Sequence, residues 1–201
     1  RAARPQPGQI WIKRTILEMG GKDAVVVDET ADLDKAAQGI VASAFGYQGQ
    51  KCSAGSRAII VEAVYDELLE KIKAQADEML TMGDPELQEN YMGPVVDARQ
   101  FKTVLNYIDV GREEGRLIYG GEPLEREGYF IQPTIFADVP ADARIAQEEI
   151  FGPVLAIIKA EDWQDALNIA NNTEYGLTGA YYSNDPERIA AEQDEDDDGP
   201  R

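Results

Sequence analysis

The sequence contains no histidine and only one cysteine, Cys52, among its 201 residues. Without histidine, this chain by itself cannot form a Ser-His-Asp triad, a Cys-His pair or an imidazole-ligated metal site. A single cysteine also excludes an internal disulfide and a cysteine cluster for zinc, so we predict no metal site and favour the cytoplasm as the location. Any general base must therefore be a carboxylate, a lysine or a tyrosine.

Positive charge and long apolar runs are also scarce. The chain has 19 Lys and Arg against 38 Asp and Glu, a net charge of -19. Such a chain is repelled by nucleic-acid phosphates and by anionic lipid headgroups. No apolar run approaches the roughly 20 residues of a membrane span, and residues 1–7 lead into no apolar segment of a signal peptide. We predict neither a nucleic-acid partner nor a membrane partner.

Apolar residues make up 43% of the chain, enough to bury a core, and strand-like and helix-like stretches alternate along it. This alternation is typical of an α/β domain with a largely parallel sheet. Strands are predicted at 23–28, 57–61, 117–119, 130–136, 154–159 and 179–182. Helices are predicted from a cap at Asp32 or Asp34 to about residue 45, from 64 to about 83, around 101–108, at 163–171 and from 186. Pro133 is expected to place its strand at a sheet edge or at a bulge.

Cys52 lies in residues 45–54 (FGYQGQKCSA), where small and polar residues surround the thiol just after a predicted helix. Backbone N–H groups of a tight turn, together with the adjacent Lys51, would favour the nucleophilic thiolate. Two other interpretations remain open at this point. A lone cysteine is often a small buried apolar residue, and Lys51 fits a solvated surface lysine as well as a residue that attracts an acidic substrate.

Two further segments contain acids beside residues that suit a ligand site. Residues 17–22 (LEMGGK) place Glu18 before two glycines at the start of a predicted strand, where a ligand can approach the backbone closely. Residues 148–153 (EEIFGP) place Glu149 two positions before Phe151. Taken alone, the first segment fits an ordinary turn, and the second fits a helix end with a buried phenylalanine. Neither segment identifies a site by itself.

Together and in this order, the three segments resemble the aldehyde dehydrogenase superfamily. The segment at Glu18 resembles the family's glutamate motif, the segment at Cys52 its cysteine signature and the segment at Glu149 its cofactor-ribose motif. The interval of 34 residues between Glu18 and Cys52 also matches the family's usual spacing. The resemblance covers about residues 1–191 and implies a three-layer α/β catalytic domain with a largely parallel sheet and flanking helices.

Within the superfamily, the sequence is most similar to the bacterial 1-pyrroline-5-carboxylate dehydrogenase subfamily. The similar stretches are 8–14 (GQIWIKR), 49–54 (GQKCSA) and 144–153 (RIAQEEIFGP). This resemblance implies oxidation of glutamate semialdehyde to glutamate in proline catabolism. The alternatives are an aldehyde dehydrogenase for another class of aldehyde, and a truncated fragment that acts only by association.

The resemblance assigns the chemical steps to two residues. It implies that Cys52 attacks the carbon of a small aldehyde substrate and that a hydride then passes to NAD, with NADP as a possible cofactor. It implies that Glu18 activates the water that hydrolyses the resulting thioester on Cys52. The backbone N–H of Cys52 is the expected donor to the negative charge that develops on the carbonyl oxygen.

The resemblance also assigns residues to the binding of cofactor and substrate. Glu149 is expected to accept hydrogen bonds from the nicotinamide ribose, and Phe151 to pack beside the nicotinamide. Gly20 is expected to provide backbone geometry near the cofactor. Ser53 is the candidate for binding the carboxylate of the substrate.

Family members are longer than this chain and form a cofactor domain, a catalytic domain and an oligomerisation region. The resemblance implies that residues 1–16 end the cofactor-binding domain, that 17–191 form an incomplete catalytic domain and that 192–201 are an acidic disordered tail. We expect the parent enzyme to be a homo-oligomer. We expect the isolated chain to be inactive, because the family's phosphate-binding and adenine-binding site lies upstream of residue 1.

Overall fold

The computed structural model describes residues 7–8 and 14–195, in which strands and helices alternate. The elements are β1 (Asp23–Val27), α1 (Leu33–Phe45), β2 (Gly55–Val61), α2 (Tyr65–Met79), α3 (Ala98–Glu114), β3 (Arg116–Tyr119), β4 (Thr134–Ala137), α4 (Arg144–Gln147), β5 (Val154–Ala160), α5 (Trp163–Asn171), β6 (Gly179–Tyr182) and α6 (Pro186–Glu195). Two short 3₁₀ helices, Gly46–Gly49 and Glu62–Val64, follow α1 and β2.

The strands form one sheet in the order β3-β4-β5-β2-β1-β6. All neighbouring pairs are parallel except β3 and β4, which are antiparallel. Strand β1 shows that the sheet is covered on both faces, since all five of its residues are buried. Val25 and Val27 pack into a core with α1 and α2. Ala24 and Val26 pack into a second core with α3 and α5. The fold is the three-layer α/β arrangement that the resemblance implied.

Aspartates begin three of the helices. Asp32 accepts a hydrogen bond from the Lys35 N–H at the start of α1. Asp97 and Asp162 cap α3 and α5 in the same way. Each carboxylate satisfies a backbone donor that the first helical turn leaves unpaired, an arrangement that typically stabilises a helix by about 1 kcal/mol.

Several boundaries differ from those predicted from the sequence, among them the start of β4 and the end of α2. The strand predicted at 130–136 begins only at Thr134, because Pro133 has no N–H to donate to a neighbouring strand. Of the two alternatives predicted for this strand, the edge position is wrong, since β4 lies between β3 and β5. The pairing of β3 with β4 does contain a register shift, between Leu117 and Tyr119. Helix α2 ends at Met79 and not near residue 83, because Leu80 leaves the helical conformation with φ -89° and ψ 65°.

The two ends of the chain are described only in part. Of the segment assigned to the cofactor domain, residues 7–8 and 14–16 are described, and they are in neither helix nor strand. Helix α6 continues to Glu195 and so includes residues 192–195 of the predicted tail. Glutamate and glutamine favour helix once it has begun, and Pro186 in the first turn provides that start. Residues 196–201 lie outside the described part of the chain.

Candidate active site

The three motif segments lie at one edge of the sheet. Each segment directly precedes a strand: the segment with Glu18 leads into β1, the segment with Cys52 into β2 and the segment with Glu149 into β5. Because these strands are parallel, with β2 between β1 and β5, their amino ends meet at the same edge. Open α/β sheets usually bind ligands at the carboxyl ends of their strands, so this site lies at the opposite edge.

An open groove of about 550 Å³ occupies this edge. Its lining residues come from all three segments: Glu18, Met19, Gly20, Gln50, Lys51, Cys52, Ser53, Glu149 and Phe151. Every residue that the sequence predicted for catalysis, cofactor binding or substrate binding therefore lines a single groove, although the residues span more than half of the chain. Their individual roles remain predictions.

A sharp change of chain direction brings Cys52 into the groove. After α1, Tyr47 and Gln48 adopt left-handed conformations with φ 58°, and Gly49 follows with φ 66°. A side chain at Gly49 would also collide with the backbone oxygen of Gly152. Cys52 then lies in a turn and is half-buried. The prediction of a tight turn is confirmed, and the alternative of a fully buried cysteine is wrong.

Two glycines allow the Glu18 segment to approach Glu149 and Cys52. The Gly21 N–H donates to Glu149 Oε1 over 3.0 Å. A Cβ at Gly20 would lie 2.6 Å from Glu149 Oε2, and a Cβ at Gly21 would collide with the backbone oxygen of Cys52. Close approach, and not a left-handed conformation, is the reason that glycine stands at both positions: Gly20 faces the Glu149 side chain and Gly21 faces the Cys52 backbone.

Glu148 anchors the loop that carries Glu149. The Tyr107 hydroxyl donates to Glu148 Oε2 over 2.6 Å, and the Arg144 guanidinium donates to both Glu148 oxygens at 3.0 Å. These bonds, those from Arg144 first, lower the pKa of Glu148 from 4.5 to about 2. The Gln100 side chain holds the other end of the loop by donating to the Phe151 carbonyl over 2.7 Å. The contacts of Tyr107, Arg144 and Gln100 thus hold the loop that carries Glu149 in place beside the groove.

Lys22 is buried directly behind the groove. Its side chain is 1% exposed, and burial lowers the pKa of Lys22 from 10.5 to about 7, with repulsion by the neighbouring Arg57 as the second cause. Glu149 attracts the ammonium and partly offsets these effects. The Arg57 Nε–H donates to the Lys22 carbonyl over 2.9 Å. The sequence marked Lys22 only as the end of a motif and gave no sign of this burial.

Several groove residues were not singled out from the sequence. Gln50 and Met19 line the groove, but no spacing or composition distinguishes them from other loop residues. By contrast, the four-residue interval between Arg144 and Glu148 is a recognisable helical ion-pair signal.

Phe151 is 40% exposed, so the alternative of a buried phenylalanine is wrong. Lys51 is exposed and lines the groove.

Two further classes of site are not found in the described residues. Within residues 7–8 and 14–195, no three Asp, Glu or Cys side chains are grouped so that they could hold a metal ion. In the same ranges, no helix combines the length and the apolar character that crossing a bilayer requires.

The fold agrees with comparisons to known proteins. The model of the aldehyde dehydrogenase family matches residues 5–195, and the chain belongs to this family. It is 61% identical over 183 residues to a 1-pyrroline-5-carboxylate dehydrogenase of Geobacillus thermodenitrificans (strain NG80-2), a match that covers 91% of this chain and 35% of the relative. It is 62% identical over 180 residues to that of Bacillus subtilis (strain 168), with 90% and 35% covered.

A solved structure gives the same result. The crystal structure of 1-pyrroline-5-carboxylate dehydrogenase from Thermus with bound NAD superimposes with a TM-score of 0.86 at 53% sequence identity. The match covers 96% of this chain and 37% of that chain. The chain thus spans about a third of the length of the relatives that it matches.

Proposed function

We propose that this chain carries the nucleophile and the general base of an NAD-dependent aldehyde dehydrogenase that oxidises glutamate semialdehyde to glutamate. The observation that carries the proposal is the meeting of Cys52, Glu18 and Glu149 in one groove. The substrate class is supported by the identity of about 60% to relatives named 1-pyrroline-5-carboxylate dehydrogenase.

Cys52 acts first in the proposed reaction. Its thiolate attacks the aldehyde carbon to form a thiohemiacetal, and its backbone N–H donates to the oxygen on which negative charge develops. The position of Cys52 supports this role, because the residue lines the groove and is half-buried. Loss of a hydride from the thiohemiacetal leaves a thioester on Cys52.

The residues present fit an NAD nicotinamide riboside beside Cys52. Bound NAD supplies the hydride acceptor for this oxidation. The Gly21 N–H fixes Glu149 Oε1, which orients Oε2 as an acceptor for a ribose hydroxyl. Gly20 leaves room beside Oε2 that any side chain would occupy. Phe151, 40% exposed, presents an aromatic ring to the same groove for packing against the nicotinamide.

Glu18 completes the proposed cycle. Its carboxylate takes a proton from a water molecule, the water oxygen attacks the thioester carbon, and the acid leaves as the Cys52 thiolate is restored. In a chain without histidine, a carboxylate in the groove is a suitable base for this step. Ser53 and Lys51 lie on the same groove and are proposed to bind the carboxylate of glutamate semialdehyde.

The setting of the enzyme is also part of the proposal. We place the reaction in the cytoplasm because one free cysteine and no disulfide suit a reducing compartment. We expect the parent enzyme to be a homo-oligomer. We expect the 201 residues alone to give little turnover, because a hydride acceptor that is not held beside the thiohemiacetal loses the advantage of proximity.

The test uses the full-length product of the gene that encodes this chain. NADH formation is measured with 1-pyrroline-5-carboxylate and with a panel of simple aldehydes, using the parent protein and its Cys52→Ala, Glu18→Gln and Glu86→Gln variants. Glu86 is exposed in the loop after α2 and serves as the control. A preference for the pyrroline compound that Cys52→Ala abolishes and Glu86→Gln preserves supports the proposal.

The Glu18→Gln variant separates the two chemical steps. It should still release one equivalent of NADH per active site in a burst, while steady-state turnover falls by about 10²- to 10⁴-fold because the thioester is hydrolysed slowly. Activity that survives Cys52→Ala would overturn the mechanism. A preference for another aldehyde would retain the mechanism and reject glutamate semialdehyde as the substrate.

A further inference from the structure

The cysteine turn, residues 46–53, contains a strained backbone conformation. Tyr47 and Gln48, each with φ 58°, and Gly49, with φ 66°, form three successive left-handed residues. Left-handed backbone is unfavourable for residues other than glycine and normally occurs at single positions. A strained segment keeps its conformation only where its surroundings oppose relaxation. Contacts outside the turn must therefore hold it in place.

Two hydrogen bonds join the cysteine turn to residues 93–96, which lead into α3. The Val96 N–H donates to Gln50 Oε1 over 2.9 Å. The hydrogen-bond network also assigns the orientation of the Gln48 carboxamide, whose Oε1 accepts from the Gly93 N–H over 2.7 Å. Two side-chain acceptors of the turn thus meet two backbone donors of one short segment.

Residues 93–96 are fixed by contacts of their own. The Val95 N–H donates to the Tyr129 carbonyl over 2.9 Å, and the Val95 side chain is buried. The cysteine turn meets a further segment at Gly49, where a Cβ would collide with the backbone oxygen of Gly152. The turn therefore lies against two segments that are distant in sequence, and residues 93–96 supply both side-chain hydrogen bonds.

The positions of the two glutamines relate these bonds to the reaction. Gln50 lines the groove two residues before Cys52, whereas Gln48 is not among the residues that line it. We propose that Gln48 and Gln50 are positioning residues, which hold the Cys52 thiol in the groove by fastening the cysteine turn to residues 93–96. The proposal rests on the proposed dehydrogenase function, in which that thiol attacks the aldehyde.

The first test follows Cys52 in the 201-residue chain, where no other cysteine competes for the reagent. The rate of alkylation by uncharged iodoacetamide is compared between the parent chain, Gln48→Met and Gln50→Met, at a pH above which the rate no longer increases. Methionine has a similar length and lacks the acceptor oxygen. A released turn exposes the half-buried cysteine, so each variant should react about fivefold faster, the factor that one neutral hydrogen bond typically contributes to an equilibrium.

Two further variants separate these hydrogen bonds from other effects. Gln48→Glu keeps an acceptor for the Gly93 N–H and loses only the donation from the Gln48 nitrogen to the Tyr47 carbonyl, over 3.2 Å, so it should react at the parent rate. Gln38→Met, at an exposed site on α1, is the matched control. Amide hydrogen exchange should show lost protection at Gly93 in Gln48→Met and unchanged protection at Ile59, which is buried in β2.

The full-length protein tests whether the same bonds serve the reaction. At saturating aldehyde and NAD, the NADH burst should be about tenfold slower in Gln48→Met, because the thiol is misplaced. The Kd for NAD should keep its parent value, and Gln48→Glu should keep the parent burst.

Four results would each overturn the proposal: unchanged alkylation in both methionine variants, an equal effect in Gln38→Met, an equal loss of protection at Ile59, and an unchanged burst in Gln48→Met. A parent protein that oxidises no aldehyde would instead reject the dehydrogenase function. Alkylation and hydrogen exchange involve neither aldehyde nor NAD, so they would still decide whether the two glutamines hold the thiol of Cys52.

Discussion

The backbone N–H of Gly21 and Oε1 of Glu149, 128 residues apart in sequence, form a hydrogen bond of 3.0 Å. This bond joins the entry of β1 to the loop before β5, although β2 lies between these two strands in the sheet. It therefore passes the amino end of β2, where the chain carrying Cys52 enters the sheet. The Glu18 segment, the cysteine turn and the Glu149 loop are thus linked through Gly21.

Substitution of Gly21 by alanine should destabilise the protein. The added Cβ collides with the Cys52 backbone oxygen and lies 2.9 Å from Asp23 Oδ2, so the cysteine turn or β1 must shift. Overpacking of this kind costs about 1–3 kcal/mol. The measurement is the urea-induced unfolding of the chain, compared between the parent protein and Gly21→Ala.

Gly176→Ala is the control for that comparison, because a Cβ at Gly176 meets nothing within 4 Å. Its unfolding free energy should stay within about 0.5 kcal/mol of the parent value. Equal stability of the Gly21 and Gly176 variants would show that the close approach at Gly21 is not a structural requirement.

Replacement of Arg57 should destabilise the protein, even when the new residue is lysine. Its guanidinium donates to the carbonyls of Lys22, Ile169 and Ala170 at 2.9, 3.2 and 2.9 Å, and so ties the entry of β1 to the end of α5. A lysine ammonium lacks the planar fork that reaches three separate acceptors. A buried carbonyl left without a donor costs about 1–3 kcal/mol, and here the Lys22 carbonyl is buried and the other two are half-buried. We therefore expect Arg57→Lys to lower the unfolding free energy by about 3 kcal/mol.

The matched control for Arg57→Lys is Arg99→Lys, because Arg99 is exposed at the start of α3. Urea unfolding measures both variants, and amide hydrogen exchange shows where the loss of stability is located. Protection should fall at Ile169 and Ala170 in Arg57→Lys. If both variants matched the parent protein, the three hydrogen bonds of Arg57 would contribute nothing measurable.

Lys22 should make the protein more stable as the pH rises above neutral. The pKa of Lys22 is about 7 in the folded chain and 10.5 in the unfolded chain. Between these two pH values the unfolded chain therefore binds more protons than the folded chain. The free energy of unfolding therefore increases from about pH 7 to about pH 10.5, by at most about 5 kcal/mol from this residue. Below pH 7, Lys22 is charged in both states and its contribution no longer changes.

The measurement for Lys22 is the pH dependence of urea unfolding in the parent protein and in Lys22→Met. Methionine has similar length and no charge, so the increase above pH 7 should become smaller and the variant should be the more stable protein at neutral pH. Lys71→Met, at a half-buried lysine paired with Asp34 on the protein surface, is the control. An unchanged pH profile in Lys22→Met would show that Lys22 is not the residue responsible.

Local patterns predicted most of this fold, and contacts distant in sequence account for what they missed. Val25 and Val27 alternate with Ala24 and Val26 in an uninterrupted apolar run, which is the signature of a strand buried on both faces. The position of β4 inside the sheet depends on its pairing with β3 and β5, which Pro133 alone does not indicate. The groove followed from motif recognition. The burial of Lys22 did not, because it depends on Arg57 and α5.

The ion pair between Arg144 and Glu148, behind the loop that carries Glu149, should be detectable in the titration of the Glu148 carboxyl group. Arg144 and, after it, Tyr107 lower the pKa of Glu148 to about 2, so the stability that Glu148 contributes is present above about pH 4.5 and is lost as the pH falls towards 2. Its side chain is 43% exposed, so solvent screening limits that contribution to about 1 kcal/mol or less.

Carboxyl ¹³C NMR of Tyr107→Phe should show the pKa of Glu148 moving up towards 4.5, because one donor is lost. Tyr129→Phe, at an exposed tyrosine, should leave it in place. A pKa unaffected by Tyr107→Phe would mean that Arg144 alone holds the Glu148 carboxylate and the loop in front of it.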